Sequence, residues 1–159
     1  MARRATVLGG GSVGTALAAQ RARLGHDVRL WDRNPSRSDD INRLHRNPRY
    51  LPDLALPPSL RATPDLEEAA RHAELLVTVV PSHALRAVAR RVAPVLTPGT
   101  VVCCATKGIE EGTLDTMSSM LREELPASCP ITVLSGPTFA EELAAGRPTT
   151  AVVAGTEAD

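Results

Sequence analysis

Three glycines near the start of the chain have the spacing of a loop that binds phosphate groups. Gly9, Gly11 and Gly14 form the pattern G-x-G-x-x-G, directly after the apolar run Arg4–Leu8 and before a stretch of helical periodicity. The first glycine of such a loop allows a tight turn, the second leaves room for a pyrophosphate, and the third lets the helix pack on the strand. The N-terminus of that helix faces the phosphates. The motif in this context predicts a dinucleotide-binding site.

An acid and a base follow the second predicted strand, where the ribose of a dinucleotide would lie. Asp32 and Arg33 come directly after Asp27–Trp31. Asp32 could accept a hydrogen bond from the ribose 2′-OH of NAD, whereas Arg33 could pair with the 2′-phosphate of NADP. A solvated charge pair at a strand end is the alternative for both residues. Trp31 either fills the core or lines the adenine pocket.

Further polar residues follow the predicted strands Leu75–Val80, Thr100–Ala105 and Ile131–Leu134. Lys107 lies in T-K-G-I-E after Thr100–Ala105, and S-G-P-T-F-A-E follows Ile131–Leu134, with Thr138 and Glu141 at capping-box spacing. Because parallel strands point one way, these residues are expected at the edge that carries the glycine loop. Lys107 could bind an anion there or be a solvated surface group. His83 could approach a nicotinamide or be satisfied by solvent at the start of a helix.

Short β-branched or apolar runs alternate with helical patterns along the chain, which predicts an α/β fold. The expected architecture is a Rossmann-type doubly wound parallel sheet with three layers. The predicted strands are Arg4–Leu8, Asp27–Trp31, Leu75–Val80, Thr100–Ala105, Ile131–Leu134 and Thr149–Val153. The predicted helices are Ser12–Leu24, Asp39–Arg46, Asp65–Arg71 with Thr63-Pro64 as its cap, Ser82–Val92, Thr113–Leu125 and Thr138–Ala145. The proline-rich stretch Asn47–Pro58 is expected to be an ordered loop at the third-strand position.

The composition fits one globular domain and argues against several classes of partner. The 159 residues include 18 basic and 18 acidic side chains, so the formal net charge is +0 and a nucleic-acid partner is not expected. The N-terminal apolar stretch is too short for a signal peptide, and no apolar run approaches the ~20 residues of a membrane span. These features favour a cytoplasmic protein. Three cysteines without ligand spacing predict reduced, buried thiols and no metal site.

Five segments, taken in order, resemble the bacterial NAD(P)-dependent glycerol-3-phosphate dehydrogenase family. They are V-L-G-G-G-S-V-G-T-A-L-A, N-P-R-Y-L-P, V-P-S-H-A-L-R, T-K-G-I-E and L-S-G-P-T-F-A-E-E, and the likeness runs from Ala5 to about Val153. It implies reversible hydride transfer between NAD(P)H and dihydroxyacetone phosphate, giving sn-glycerol 3-phosphate for phospholipid synthesis. The implied cofactor contacts are Ser12, Val13, Arg33, Tyr50, Lys107 and Ala140. The implied substrate contacts are Lys107, Gly136 and Thr138.

The cofactor is expected to be NADP or NAD, with NADPH preferred because Arg33 can pair with its 2′-phosphate. The chain departs from the family at Val13, where a large aromatic residue is usual, and at Thr138, where serine is common.

The resemblance also implies a second domain that this chain does not contain. Residues 1–159 correspond to the NAD(P)-binding domain, and the family's helical C-terminal substrate domain, with its general-base lysine, is expected beyond Asp159. No catalytic residue is therefore assigned within the chain. The chain alone is expected to be inactive.

Two other interpretations stay open at this point. Related two-domain dehydrogenases such as ketopantoate reductases share this type of nucleotide domain, although S-G-P-T-F-A and T-K-G-I-E argue against them. A non-catalytic NAD(P)-binding module is the second alternative, because the substrate domain is missing. The resemblance also leaves a homodimer open for the full-length protein.

Overall fold

The structure is a computed structural model that describes residues 2–137 and 139–155. Within these residues the chain forms seven strands and six α-helices. The strands are β1 (Arg4–Leu8), β2 (Asp27–Trp31), β3 (Arg61–Thr63), β4 (Leu75–Thr78), β5 (Val101–Cys104), β6 (Ile131–Ser135) and β7 (Val152–Gly155). The helices are α1 (Ser12–Arg23), α2 (Pro35–Leu44), α3 (Leu66–His72), α4 (Ser82–Val92), α5 (Met117–Glu124) and α6 (Ala140–Ala144). A single 3₁₀ turn, Ala93–Val95, follows α4.

Two residues named in the sequence-based expectations lie outside the described residues. They are Thr138, an implied substrate contact, and Asp159, beyond which the general-base lysine of the family is expected. The expectation about that lysine and its domain therefore stays a prediction.

The strands form one sheet in the order β3-β2-β1-β4-β5-β6-β7. β1 to β6 pair in parallel, and the chain builds β2 and β3 on one side of β1 and β4 to β6 on the other. This order confirms the predicted Rossmann-type, doubly wound α/β fold. β7 is antiparallel to β6, with Ser135 opposite Val152. The expectation of a parallel last strand at 149–153 is therefore wrong.

The direction of β7 follows from the path of the chain after β6. Helix α6 packs on α1, where the Gln20 side-chain amide donates to the Leu143 carbonyl oxygen and the Arg23 guanidinium donates to that of Ala144. The chain thus stays at the carboxyl edge of the sheet, and β7 begins beside the end of β6. A parallel neighbour would need a crossover to the opposite edge first.

Helix α2 begins at Pro35, four residues before the predicted start at Asp39. Asn34 is its N-cap, and the Asn34 side chain accepts a hydrogen bond from the Arg37 backbone N–H at 3.2 Å. Pro35 takes the first helical position, where its fixed φ is favourable and its missing N–H costs nothing. The earlier start matters for the site, because it places Arg37 in the first turn.

Other elements also differ from the prediction. β3 was missed in the sequence pattern because Arg61–Thr63 is only three residues long, although it pairs with β2. Helix α3 is capped by Asp65, whose carboxylate accepts from the backbone N–H of Glu68 at 2.9 Å, and not by Thr63-Pro64. Helix α5 begins at Met117 rather than Thr113. In each case a cap or a strand pairing decides the boundary, not the hydrophobic period.

Helices cover both faces of the sheet, which gives the three predicted layers. Along β1, Ala5 and Val7 pack with α1 and α2, whereas Leu8 packs with α3, α4 and α5. Thr6 shares the face of Leu8, and its buried hydroxyl donates to the Ala69 carbonyl oxygen at 2.7 Å. Alternate side chains of β1 thus point into the two halves of the core, one on each face of the sheet. None of the helices in the described residues is both long and apolar enough to cross a membrane.

Candidate cofactor site

A cleft opens at the carboxyl edge of the sheet between β1 and β4, which we call the β1–β4 cleft. The strand order changes direction here, and ligands of open α/β sheets bind at such points. The cleft has a volume of about 510 Å³. It is lined by Gly9, Gly10, Gly11, Trp31, Asp32, Arg33, Arg37, Tyr50, Val79, Val80, Pro81, His83, Ala84 and Val88. The structure therefore brings the glycine loop and the acid–base pair after β2 to one cleft.

The three motif glycines differ in what their missing side chains allow. Gly9 has a φ of +128°, and a Cβ there would lie 2.8 Å from the Val79 carbonyl oxygen. A Cβ on Gly14 would overlap the Gly9 carbonyl group. A Cβ on Gly11 would meet no atom of the described residues within 4 Å. Gly9 and Gly14 are thus needed for packing of the loop, whereas Gly11 leaves space on the cleft side.

The segment 47–51 forms a second wall against the glycine loop. The Asn47 side-chain amide is buried and donates to the Gly10 carbonyl oxygen at 2.9 Å and to the Thr15 hydroxyl at 2.8 Å. The Ser12 hydroxyl donates to the Tyr50 carbonyl oxygen at 3.2 Å. Ser12 and Tyr50, two predicted contacts, are therefore neighbours. Asn47 was not predicted, because nothing in a proline-rich loop indicates which of its polar side chains is buried.

At the other end of the cleft, Asp32 is held by a residue that the sequence pattern did not indicate. Its carboxylate is 3% exposed and accepts hydrogen bonds from Arg37 Nε at 2.6 Å and Nη2 at 2.7 Å. The Asn34 backbone N–H also donates to it, at 2.9 Å. The hydrogen bond to Asp32 raises the pKa of Arg37 above its ordinary value. Asp32 thus faces the cleft as one half of an ion pair.

Trp31 belongs to both of the environments that its position allows. It is 8% exposed, its indole N–H donates to the Pro64 carbonyl oxygen at 3.1 Å, and the residue also lines the β1–β4 cleft. Arg33 and His83 line the same cleft, and both residues are exposed. Arg33 is therefore open to a ligand, whereas the Asp32 carboxylate is buried and already paired.

A smaller cleft of about 230 Å³ adjoins the first and contains Lys107; we call it the lysine cleft. It is lined by Val13, Leu17, Val79, Val80, Ala105, Thr106, Lys107 and Leu134, so that Val79 and Val80 are shared with the β1–β4 cleft. Lys107 is exposed, and its ammonium donates to the Gly136 carbonyl oxygen at 3.1 Å. The structure thus brings the predicted residues Val13, Lys107 and Gly136 to one region. Thr138, the third implied substrate contact, lies outside the described residues.

Ala140, the first residue of α6, faces Ser12 and Tyr50 across a further cleft of about 510 Å³. The packing of α6 on α1 brings this predicted cofactor contact to the glycine loop. The N-cap of α6 is Phe139. The expected capping box between Thr138 and Glu141 involves Thr138, which lies outside the described residues. The helix begins two residues later than predicted.

The loop that carries Lys107 is fixed to α4 and α5 by ion pairs. Arg86 donates to both carboxylate oxygens of Glu110 at 2.6 Å and also pairs with Glu124. The hydrogen bonds from Arg86 lower the pKa of Glu110 to about 2. Glu110 lies three residues after Lys107, so the pairs restrain this loop. Their members are far apart in the sequence, and no local pattern links them.

The family model and the sequence relatives that match this chain agree with one another. A sequence model of the family described as "NAD-dependent glycerol-3-phosphate dehydrogenase N-terminus" matches residues 4–159. The glycerol-3-phosphate dehydrogenase (NAD(P)+) of Acinetobacter baumannii strain SDF is 48% identical over 151 residues, which are 95% of this chain and 42% of the relative. The protein of the same name from Anaeromyxobacter sp. strain K is 48% identical over 153 residues, covering 95% and 46%. The chain thus spans less than half the length of these relatives.

Solved structures agree with the sequence relatives. The glycerol-3-phosphate dehydrogenase of Coxiella burnetii has a TM-score of 0.91 and 35% identity, over 98% of this chain and 47% of that chain. A PanE/ApbA family ketopantoate reductase from Ralstonia eutropha has a TM-score of 0.65 and 20% identity, over 85% of this chain and 42% of that chain, which is a likeness of fold alone. The predicted resemblance is confirmed: the chain belongs to the NAD-dependent glycerol-3-phosphate dehydrogenase family.

Proposed function

We propose that this chain is the NAD(P)H-binding domain of an enzyme that reduces dihydroxyacetone phosphate to sn-glycerol 3-phosphate. The observation that carries the proposal is the adjacency of the two clefts, since the glycine loop opens onto the β1–β4 cleft and that cleft shares Val79 and Val80 with the lysine cleft. A dinucleotide bound across a doubly wound sheet needs such a path from its ribose end to its reacting ring. Family membership supports the same assignment.

The cofactor would use groups along the whole path. Its pyrophosphate would lie against Gly9–Gly11 and the N-terminus of α1, because the first N–H groups of a helix have no partner within the helix. Its adenosine ribose would lie near Arg33, which favours NADPH through charge-assisted hydrogen bonds to the 2′-phosphate. Its nicotinamide, which supplies or accepts the hydride, would lie near Val13.

The substrate would lie on the wall formed by Lys107, Gly136 and Thr138. Lys107 is the only lysine in the sequence, and every other basic side chain among the 18 is an arginine. Its compact ammonium would stabilise the negative charge that develops on the carbonyl oxygen as the hydride arrives. In this proposal the general base and the remaining phosphate contacts follow Asp159, in the part of the relatives that this chain does not span.

Amine-selective labelling tests the position of Lys107 directly. Reductive methylation modifies Lys107 and the N-terminal amine, and the two peptides are quantified separately by mass spectrometry. NADPH at ten times its Kd should slow methylation of Lys107 by roughly tenfold, because the labelled fraction follows the unbound protein. The N-terminal amine is the internal control and should react at an unchanged rate. Equal rates for Lys107 with and without NADPH would contradict the proposal.

Turnover tests the reaction itself, in the protein that carries this domain. Lys107→Met should lower kcat/KM for dihydroxyacetone phosphate on the order of a hundredfold, as loss of one preorganised group at a developing oxyanion does. Arg122→Met removes another exposed cation, on α5, and is the matched control. Oxidation of NADPH by the Lys107→Met variant at the rate of the control would refute the assigned role.

A further inference from the structure

Asp32 occupies the position at which an acidic residue selects NAD over NADP, yet its carboxylate is already bound within the protein. In Rossmann domains a carboxylate after the second strand accepts a hydrogen bond from the ribose 2′-OH, and it repels a 2′-phosphate. Here Arg37 forms a two-bond fork with both oxygens, at 2.6 and 2.7 Å, and the Asn34 backbone N–H donates at 2.9 Å. A Cβ on Gly10 would overlap this carboxylate, so the ion pair lies against the glycine loop.

Arg37 is itself held in place from several directions. Its side chain is 17% exposed, and its guanidinium carbon lies 5.2 Å from the centre of the Tyr50 ring, within the range of a cation–π contact. Its position in the first turn of α2 is set by the Asn34 cap. A planar guanidinium bound to two carboxylate oxygens is a rigid arrangement. The pair therefore meets a ligand as a fixed, neutral unit.

We propose that Arg37 is a specificity-determining residue, which permits NADPH by neutralising Asp32 and occupying its oxygens. Arg33, which is exposed in the same cleft, is then the cation that meets the 2′-phosphate. The inference rests on the proposed function, because it requires the ribose end of NAD(P)H to lie in the β1–β4 cleft. It assigns to Arg37 an action on the cofactor through Asp32 and not through direct contact.

This role predicts opposite effects on the two cofactors. Without Arg37, the Asp32 carboxylate regains its negative charge and its acceptor sites beside the ribose. NADPH then binds more weakly, because the carboxylate repels the 2′-phosphate, while NADH gains an acceptor for its 2′-OH. If Arg37 instead contacted the phosphate directly, NADPH would lose affinity whether or not Asp32 carried a charge. Removing both residues separates the two mechanisms.

The experiment is a double-mutant cycle measured by calorimetric titration of NADPH and NADH. Arg37→Met should lower the ratio of NADPH to NADH affinity by at least about tenfold, which is 1.4 kcal/mol. Arg37→Met combined with Asp32→Asn should restore the ratio to within about threefold of the unmodified chain, about 0.7 kcal/mol. Asp32→Asn alone leaves no unpaired carboxylate in the interior, so it should fold, and it should raise the preference for NADPH. Arg43→Met is the matched control, since it removes an exposed ion pair with Asp40 from the same helix.

Each outcome of this cycle supports or overturns the inference. An unchanged affinity ratio in Arg37→Met, or a loss of preference that persists in the double variant, overturns it. So does a fall in NADPH preference in Asp32→Asn, which remains informative if Arg37→Met does not fold. Failure of the unmodified chain to bind either cofactor refutes the proposed function, and with it this inference. Binding of both cofactors with no response to the cycle refutes the inference alone.

Discussion

Asn47→Ala should weaken cofactor binding as well as the fold, and a second asparagine, whose loss should weaken the fold alone, provides the control. Asn47 donates two hydrogen bonds, to the Gly10 carbonyl oxygen and the Thr15 hydroxyl, and so joins segment 47–51 to the glycine loop. Asn42 also forms two hydrogen bonds, both with the Ala62 backbone at 2.8 Å, and so joins α2 to β3. The two residues match in type and in number of bonds, but only Asn47 touches the loop.

The size of each effect follows from these bonds. A neutral hydrogen bond contributes about 1 kcal/mol net, so each variant should lose about 2 kcal/mol, or roughly 4–8 °C in Tm. Asn47 Oδ1 is buried and has no partner among the described residues, so removing it offsets part of the loss. If one bond of Asn47 keeps the Gly10 peptide oriented for binding, NADPH must reorder the loop at a cost of about 1 kcal/mol. That cost corresponds to about fivefold in Kd.

Thermal melts and calorimetric titrations of NADPH measure both quantities on the same samples. We expect Asn42→Ala to lose at least as much stability as Asn47→Ala while keeping the Kd of the unmodified chain within about twofold, or about 0.4 kcal/mol. Asn47→Ala should bind NADPH about fivefold more weakly. The reasoning is refuted if both variants lose affinity equally, or if Asn47→Ala melts at a lower temperature and binds NADPH as tightly as before.

Three further predictions concern the ion pairs, the ribose end and the thiols. Because Arg86 lowers the pKa of Glu110 to about 2, the stabilisation from the Glu110 carboxylate is fully present above about pH 4.5 and is lost as pH falls through about 2. The Tm difference between the unmodified chain and Glu110→Gln should therefore shrink from pH 5 to pH 2. Arg33→Ala should weaken NADPH by roughly tenfold to a hundredfold and leave NADH unaffected, whereas equal losses would exclude contact with the phosphate. Burial raises the pKa of all three cysteine thiols, so Ellman's reagent should react slowly at pH 8 until denaturant is added, and rapid reaction would contradict this.

The glycine loop and its flanking elements could be predicted from the sequence because their signals are local. Gly9, Gly11 and Gly14 mark one tight turn. The apolar run before them predicts β1, and the alanine-rich stretch after them predicts α1. The placement of Lys107 at the same edge followed from the parallel direction of the strands. These features depend on period, spacing and topology, all of which the sequence contains.

The parts that were missed depend on contacts between distant segments. The fork between Arg37 and Asp32 requires α2 to begin at Pro35, and the hydrophobic period gave a later start. The antiparallel direction of β7 requires α6 to pack on α1 through Gln20 and Arg23. Asn47 joins two loops that are 37 residues apart. Burial, which turns an ordinary polar side chain into a structural one, is a property of the folded chain and not of a local pattern.

The most direct test of the account is a calorimetric titration of NADPH into the chain and into its Gly11→Val variant. Gly11 lines the β1–β4 cleft, and a Cβ there meets no atom of the described residues within 4 Å, so the variant should fold. A less favourable N-cap should cost it about 1 kcal/mol, or about 2–4 °C in Tm. The added side chain would occupy the space assigned to the pyrophosphate.

We predict that the unmodified chain binds one NADPH, and that the Gly11→Val variant binds NADPH at least about tenfold more weakly, by 1.4 kcal/mol or more. Equal affinity in the two proteins, or no binding by the unmodified chain, would contradict the account.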